Sequence, residues 1–456
     1  MTLPSIVTPL VLSFTRAVNF TRLVTLTVAW VCAVLEIFFG TLSATVLLVG
    51  LLAFALFVLL TVTRLRWDSL VILSLLAVVM WLLLEEMPTF ADIMAGGERV
   101  LIFAALLPTM ALVRATAMTM PTVHATQDRL AALPLQSSAG GLQLAAHAFG
   151  GIINTGALAL LSASLPDNAT DDRRRRVAEA VIRGMVVSSA WSPFFVAFAI
   201  GQIFVAPIYA WMAIAIGVVS ALLFTMATLV GLNNGFAKSQ LHSSLRCLSP
   251  VASRLFITLL AVLTVALTFQ LTALSAVVVV MPVLVMIQMA RHRNKAGTIL
   301  RQTSRAMQGT ADDLIIISAA MLVAFLATQD GTLSHLISQY YPGVIPGWVA
   351  LMATPMLMMA LSVVGIHPVI TSTALLATFS AGGADVHPAL LVQAHLIGWG
   401  AGTMSSVASL SVLTSASLFR VPTARLVFGD NMLCGFLYAL IGGGLLVCGN
   451  LALGYS

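Results

Sequence analysis

The chain has 456 residues, of which 60% are hydrophobic and only 8% charged, with a formal net charge of +6. A soluble domain carries roughly 25% charged residues, so this composition excludes a soluble enzyme or binding module and predicts a polytopic membrane protein of about ten to twelve passes. The basic residues sit in short loops between apolar runs, which argues against nucleic-acid binding. The four cysteines (Cys32, Cys247, Cys434, Cys448) show no CxxC or Cys/His spacing, so neither a disulfide framework nor a zinc site is indicated.

The N-terminal stretch MTLPSIVTPLVLSFTRAVNFTRL has no early basic region and no cleavage pattern, so residues 1–40 are expected to be a retained interfacial segment followed by a first span at 23–39. Further apolar runs fall at 41–63, 68–85 and 98–118, the last two joined by an acidic linker that includes Glu85 and Glu86. Residues 119–138 predict a short interfacial segment. The next apolar stretch, 139–165, carries Gly150, Gly151, Asn154 and Gly156 at its middle, which suits a hairpin that turns back inside the protein. After the loop DNATDDRRRR come a broken span at 178–205, spans at 208–231, 254–270 and 272–290, a basic loop, and a span at 312–328. A second interrupted unit occupies 344–380, a second broken helix 386–418, and a last span 428–451.

The interrupted units form an internal repeat. Gly151-Ile152 aligns with Gly365-Ile366, Ser188-Ser189 with Ser405-Ser406, and Pro207 with Pro422, at an offset of 214–217 residues. Paired interrupted segments, one per half, are the best sequence pointer to a secondary-transporter binding site. The expected division is 1–40, N-terminal segment and first span; 41–97, scaffold spans of the first repeat; 98–207, first transport half; 208–311, scaffold spans and cytoplasmic loops; 312–422, second transport half; and 423–456, last span.

Charge tests the topology. With a cytoplasmic N-terminus and both hairpins re-entrant, 20 of the 22 Lys and Arg residues fall on the inside, Arg183 among them, leaving Arg99 and Arg114. If either hairpin were a full span, the later loops would change sides and this bias would collapse. The loop after the first hairpin carries Arg173–Arg176, whereas its counterpart SAGGADVHP has no basic residue, so the two hairpins are expected to enter from opposite faces as inverted repeats. The arginine run marks topology and meets anionic lipid.

At hairpin tips and helix breaks, backbone groups lose their helical partners. Half-helix N-termini can hold an anion, and freed carbonyls and hydroxyls can coordinate Na⁺. The expected substrate-binding residues are Asn154, Thr155, Ser188, Ser189, Thr371, Ser372, Thr373, Ser405 and Ser406, with Gly151, Asn154, Gly365, Thr373 and Ser409 at the coupling ion. The competing reading for each hydroxyl is local: a cap, or a bond to a carbonyl one turn back. His367 and His147 are the candidates for carrying a proton, and His395 is a weaker one. Arg114 is read as snorkelling, or as a counter-charge for an anion. Asp312 and Asp313 are read as a helix cap. No acidic residue is expected deep in a span, and no phosphate-binding loop or metal cluster is present.

In these features the chain, over roughly 68–452, resembles the ion transporter superfamily: divalent anion:sodium symporters, the large membrane subunits of tripartite (TRAP) dicarboxylate transporters, citrate-metal transporters and arsenite permeases. Those symporters carry Ser-Asn-Thr at both hairpin tips; here the nearest matches are Ile153-Asn154-Thr155 and Thr371-Ser372-Thr373. The resemblance implies an all-α elevator in which both hairpins and the broken helices slide against a scaffold, within a homodimer. The expected function is a bacterial inner-membrane secondary transporter that couples a small anion, an organic carboxylate, to Na⁺ or H⁺ and needs no cofactor. The alternatives are a TRAP-like subunit served by a soluble binding protein, a cation/proton antiporter and, last, a membrane-embedded enzyme.

Overall fold

The computed structural model describes residues 7–39, 43–83, 87–232, 238–329, 331–341, 343–381 and 383–456. Glu85 and Glu86 lie outside the described residues. In chain order the helices are α1 (Val7–Phe39), α2 (Ser43–Val62), α3 (Trp67–Leu83), α4 (Phe90–Ala117), α5 (Pro121–Ala131), α6 (Leu135–Ile153), α7 (Gly156–Ser162), α8 (Asp171–Val187), a 3-10 turn (Ser188–Ala190), α9 (Val196–Ile203), α10 (Pro207–Leu232), α11 (Lys238–Cys247), α12 (Ser249–Thr268), α13 (Ala273–Arg291), α14 (Arg293–Gly309), α15 (Ala311–Gln329), α16 (Thr332–Tyr340), α17 (Gly347–Val363), α18 (Pro368–Ala381), α19 (Pro388–Met404), α20 (Leu410–Phe419), α21 (Thr423–Val427) and α22 (Asp430–Ala452). Among the described residues there is no strand, and eight helices are long and apolar enough to cross a bilayer. The protein is an all-helical integral membrane protein.

The repeat is a repeat of elements. The order α4 to α9, long helix, short helix, two-armed unit, broken helix, recurs as α15 to α20. The α8 and α19 helices both have 17 residues and start and end 217 positions apart.

Two units divide the chain. One comprises Met1–Thr116 and Val278–Asp330. Within it α1 lies along α2, and Arg22 donates Nε–H to Thr61 Oγ1 at 2.9 Å, its guanidinium 5.8 Å from the centre of the Phe57 ring. Arg22 is therefore buried in α1 rather than in a cytoplasmic loop. The expected acidic linker is shorter than its polarity suggests. Thr89 and Asp92 exchange hydrogen bonds, Thr89 N–H to Asp92 Oδ2 at 2.8 Å and Asp92 N–H to Thr89 Oγ1 at 3.3 Å. That reciprocal box starts α4 at Phe90 instead of residue 98. Asp312 is a cap, but of another helix: its Oδ2 accepts from Arg66 N–H at 3.0 Å and Ser69 Oγ at 2.7 Å, at the start of α3.

The other unit comprises Ala117–Val277 and Gly331–Ser456, and holds every expected site residue except Arg114. Thr170 caps α8, its hydroxyl accepting from Arg173 N–H at 3.4 Å, with Asp171 and Asp172 in the first turn. Pro388 opens α19. Helix α20 ends on Arg420 at φ 57, with Val421 N–H reaching back to Ala416 O at 3.0 Å, and Pro422 follows. Between lipid-facing helices the apolar effect supplies little drive, so close backbone approach holds the unit together. A Cβ on Gly184 would lie 2.1 Å from Gln143 O, where α8 crosses α6. A Cβ on Gly398 would lie 2.8 Å from Pro355 Cα, where α19 crosses α17.

Candidate functional site

Both expected hairpins are helix–turn–helix units. Helix α6 stops at Asn154, a non-glycine residue with φ 49 and ψ −131, and Thr155 leads into α7. Helix α17 stops at a turn where Gly365 has φ 92 and Ile366 N–H bonds back to Leu361 O at 2.9 Å; α18 then starts at Pro368. Both broken helices break where serines cluster. The first gives up at Ser188 and resumes as α9 at Val196; the second gives up at Ser405 and resumes as α20 at Leu410.

The packing is crossed between the repeats. Each first arm lies on the first half of its own repeat's broken helix, α6 on α8 and α17 on α19. Each second arm lies on the second half of the other repeat's broken helix, α7 on α20 and α18 on α9.

Around the first break, Ser192 Oγ donates to Gly151 O and ties the break to the hairpin. Gly151 lies under the Trp191 ring, and a Cβ there would come within 2.6 Å of it. Trp191 Nε1–H donates to His147 Nε2 at 3.3 Å. The indole N–H can only donate, so protonating Nε2 of His147 requires breaking that bond. Ser188 and Ser189 hydroxyls donate to Met185 O at 2.6 Å and Val186 O at 2.7 Å. Helix α10 reaches the break through Gly217, where a Cβ would lie 1.8 Å from Ala190 O. The Gln393 amide, with its nitrogen oriented to donate, gives hydrogen bonds to Ala190 O and Ala213 O, both at 3.1 Å.

In the second half, the residue that gathers the elements is His395. It is fully buried on α19, with Nε2 2.8 Å from Ala197 O on α9 and Nδ1 3.0 Å from Ser372 Oγ on α18. A carbonyl only accepts, so Nε2 carries the proton and Nδ1 accepts from the serine when the ring is neutral. Gly201 makes room: a Cβ there would stand 3.3 Å from the imidazole Cδ2.

The other expected residues divide into engaged and unengaged groups. Thr373 Oγ1 donates to Val369 O at 2.7 Å, Ser406 Oγ accepts from Ala408 N–H at 3.3 Å, and Ser409 is the residue before α20. His367 Nδ1 accepts from Val369 N–H at 3.2 Å at the start of α18. Thr371 Oγ1 and Ser405 Oγ are buried with no hydrogen-bond partner. Among the described residues, no hydrogen bond joins Asn154 or Thr155 to the Thr371–Thr373 cluster, while Ser372 is joined to both broken helices through His395. Arg114 is half-buried in the last turn of α4.

Two expectations are overturned. Glu179 on α8 is only 1% exposed, so an acidic side chain does lie deep. Arg183, expected in a cytoplasmic loop, is buried one turn further along the same helix. Arg183 was counted with the nearby arginine run, which is why charge counting placed it on the cytoplasmic side.

No family model matches the chain, and no curated protein matches it. Among solved structures it is similar to the Alcanivorax borkumensis YdaH transporter, described as having an unusual topology, with 15% sequence identity and a TM-score of 0.43 over 85% of this chain and 97% of that one.

Proposed function

We propose that the protein is a secondary active transporter of a small anion, an organic carboxylate, coupled to Na⁺ or H⁺ and working by alternating access around the two breaks. The observation that carries this reading is the pair of half-helices that resume after them. The residues preceding α9 and α20, Phe195 and Ser409, supply no side-chain cap to the helix start. Uncapped amides with the positive end of a helix dipole suit an anion. Membrane-buried backbone breaks are tolerated where they line a cavity or a binding site. The crossed packing of α7 on α20 and α18 on α9 suits an elevator, in which both hairpins and both broken helices travel together. An inner-membrane homodimer with a cytoplasmic N-terminus completes the reading.

The test is the thermal stability of detergent-purified protein against small carboxylates and inorganic anions, each in Na⁺ or choline. A ligand of the folded state raises apparent stability by mass action. A shift with one anion class only in Na⁺ supports sodium coupling; a Na⁺-independent shift that varies with pH supports proton coupling. No shift with any anion counts against the reading and favours a subunit dependent on a soluble binding protein. One observation favours a second reading, cation/proton antiport: the buried carboxyl of Glu179. A shift produced by cations alone would support it.

A further inference from the structure

A stripe of charge runs along one face of α8. Asp172, Arg175, Glu179 and Arg183 are spaced by three, four and four residues, which keeps them on one side of the helix. The stripe begins in water and ends inside the protein. Asp172 and Arg175 side chains are 53% and 39% exposed, whereas Glu179 and Arg183 are 1% and 3% exposed. Arg175 stands between the two acids, 3.6 Å from Asp172 Oδ1 and 3.7 Å from Glu179 Oε1.

The buried half of the stripe is incompletely paired. Glu179 Oε1 has no hydrogen-bond partner. It lies against the bare Cα of Gly429, where a Cβ would come within 2.9 Å of it. Arg183 donates Nη1–H to Asn431 Oδ1 at 2.8 Å, and its Nε has no partner. Asn431 is held in turn by its amide on Leu426 O at 3.1 Å. Glu179 and Arg183 are four residues apart with opposite charge, the spacing of a helical ion pair, yet the ion pair Glu179 makes is with Arg175, at 3.7 Å, and not with Arg183. A deeply buried carboxyl oxygen with no hydrogen bond, and with only the half-exposed Arg175 3.7 Å away as counter-charge, is neutralised by a proton, by a cation, or by a closer partner that moves to it. Arg183, one turn further along the same face, is held instead by a neutral asparagine.

We propose that Glu179 is a proton-binding site with two states. Protonated, it leaves Arg183 on Asn431; ionised, it draws Arg183 into an ion pair. The proton reaches it from the water-exposed start of α8 past Arg175, and no covalent bond other than O–H is made or broken. The charged and titratable groups that face Glu179 are Asp172, Arg175 and Arg183 from α8 and Asp430 and Cys434 from α22. Of the other elements packed on α8, α7 and α20 carry no titratable residue, α6 carries His147, α10 Tyr209, α19 His395 and α21 Arg425. The inference rests on the transporter reading for its purpose, and among the coupling ions it selects the proton.

The experiment is infrared difference spectroscopy of the lipid-reconstituted protein, exchanged between acidic and alkaline buffer. Wild type is expected to give a carboxylic C=O band in acid that disappears in alkali, Glu179→Gln to lose that band, and Glu179→Asp to keep it at a shifted position. Identical difference spectra for wild type and Glu179→Gln, or a band that answers to Na⁺ rather than to pH, would overturn the proposal. Because this readout needs no substrate, it stands or fails apart from transport. A pH-sensitive dye inside the vesicles, with succinate as probe, then tests purpose. Succinate-driven acidification in wild type and its loss in Glu179→Gln join the proton to transport, whereas equal acidification in both overturns the coupling role.

Discussion

The Ser372 hydroxyl and the Nδ1 of His395 stand 3.0 Å apart in a buried contact that joins the second arm of the second hairpin to the second broken helix. The opposite edge of the same ring is held by Ala197 O of the first broken helix, so one imidazole links pieces of both repeats. Replacing His395 by Phe leaves a buried hydroxyl deprived of its ring partner and a buried carbonyl of its side-chain donor. Each deprived group costs about 1–3 kcal/mol, which predicts a clear fall in apparent melting temperature. His395→Gln can donate to the carbonyl and accept from the serine, and is expected to recover part of the loss. Equal melting of wild type and His395→Phe in detergent would refute the linking role.

Gly217 offers a sharper packing test. A Cβ at this position would sit 1.8 Å from Ala190 O, inside the contact between α10 and the first break. Backbone cannot yield as a side-chain tip does, so Gly217→Ala is expected to cost about 1–3 kcal/mol and to disturb the break. Gly231 in the same helix has nothing within 4 Å of an added Cβ. Gly231→Ala is expected to be neutral or to gain up to about 1 kcal/mol from helix propensity. The two melting curves, measured side by side, decide whether the approach at Gly217 or glycine content in general matters.

The sequence was most legible where chemistry interrupts hydrophobicity. Serines at 188, 189 and 405, 406 within apolar runs located both helix breaks, because a membrane helix has little other use for such clusters. Gly150, Gly151 and Gly365 located the hairpin turns for the same reason. What stayed hidden depends on pairing at long range. His395 looked ordinary because its partners, Ser372 and Ala197, lie 23 and 198 positions away. Gln393 gave no sequence signal, although its amide answers a carbonyl at a break two hundred residues earlier. Arg183 was misplaced and Glu179 passed over because local charge density cannot reveal that α8 carries charge from its exposed start into the interior on a single face.

The loop after the second hairpin carries a pH-sensitive tether. The Asp385 carboxylate accepts from the Ser456 hydroxyl and from Ser456 N–H, the latter at 2.7 Å. Ser456 O in turn accepts from Gly347 N–H at 2.6 Å. The Ser456 hydroxyl first, and its amide second, hold the Asp385 carboxyl below its ordinary value. A depressed folded-state value means that the tether's contribution is complete above the unfolded value, about 4, and is lost as pH falls through the folded value. Hydrogen exchange at the Gly347 amide, corrected for intrinsic rate, is therefore expected to lose protection in that acid range. Asp385→Asn is expected to show reduced protection already at neutral pH and no further acid step. A matching acid step in both proteins would contradict the assignment.

Asn154 separates strain from function. Its φ of 49 with ψ of −131 is backbone that glycine adopts at little cost and other residues adopt only under constraint. Such strain costs on the order of 1–3 kcal/mol, so Asn154→Gly is expected to raise the melting temperature. Asn154→Ala keeps the strain and removes the amide. If the side chain binds substrate or coupling ion, both variants lose the ligand-induced stability shift while Asn154→Gly alone gains basal stability. If Asn154→Gly melts higher and still responds to ligand as wild type does, the amide is not a ligand and the residue serves only to turn the chain between α6 and α7.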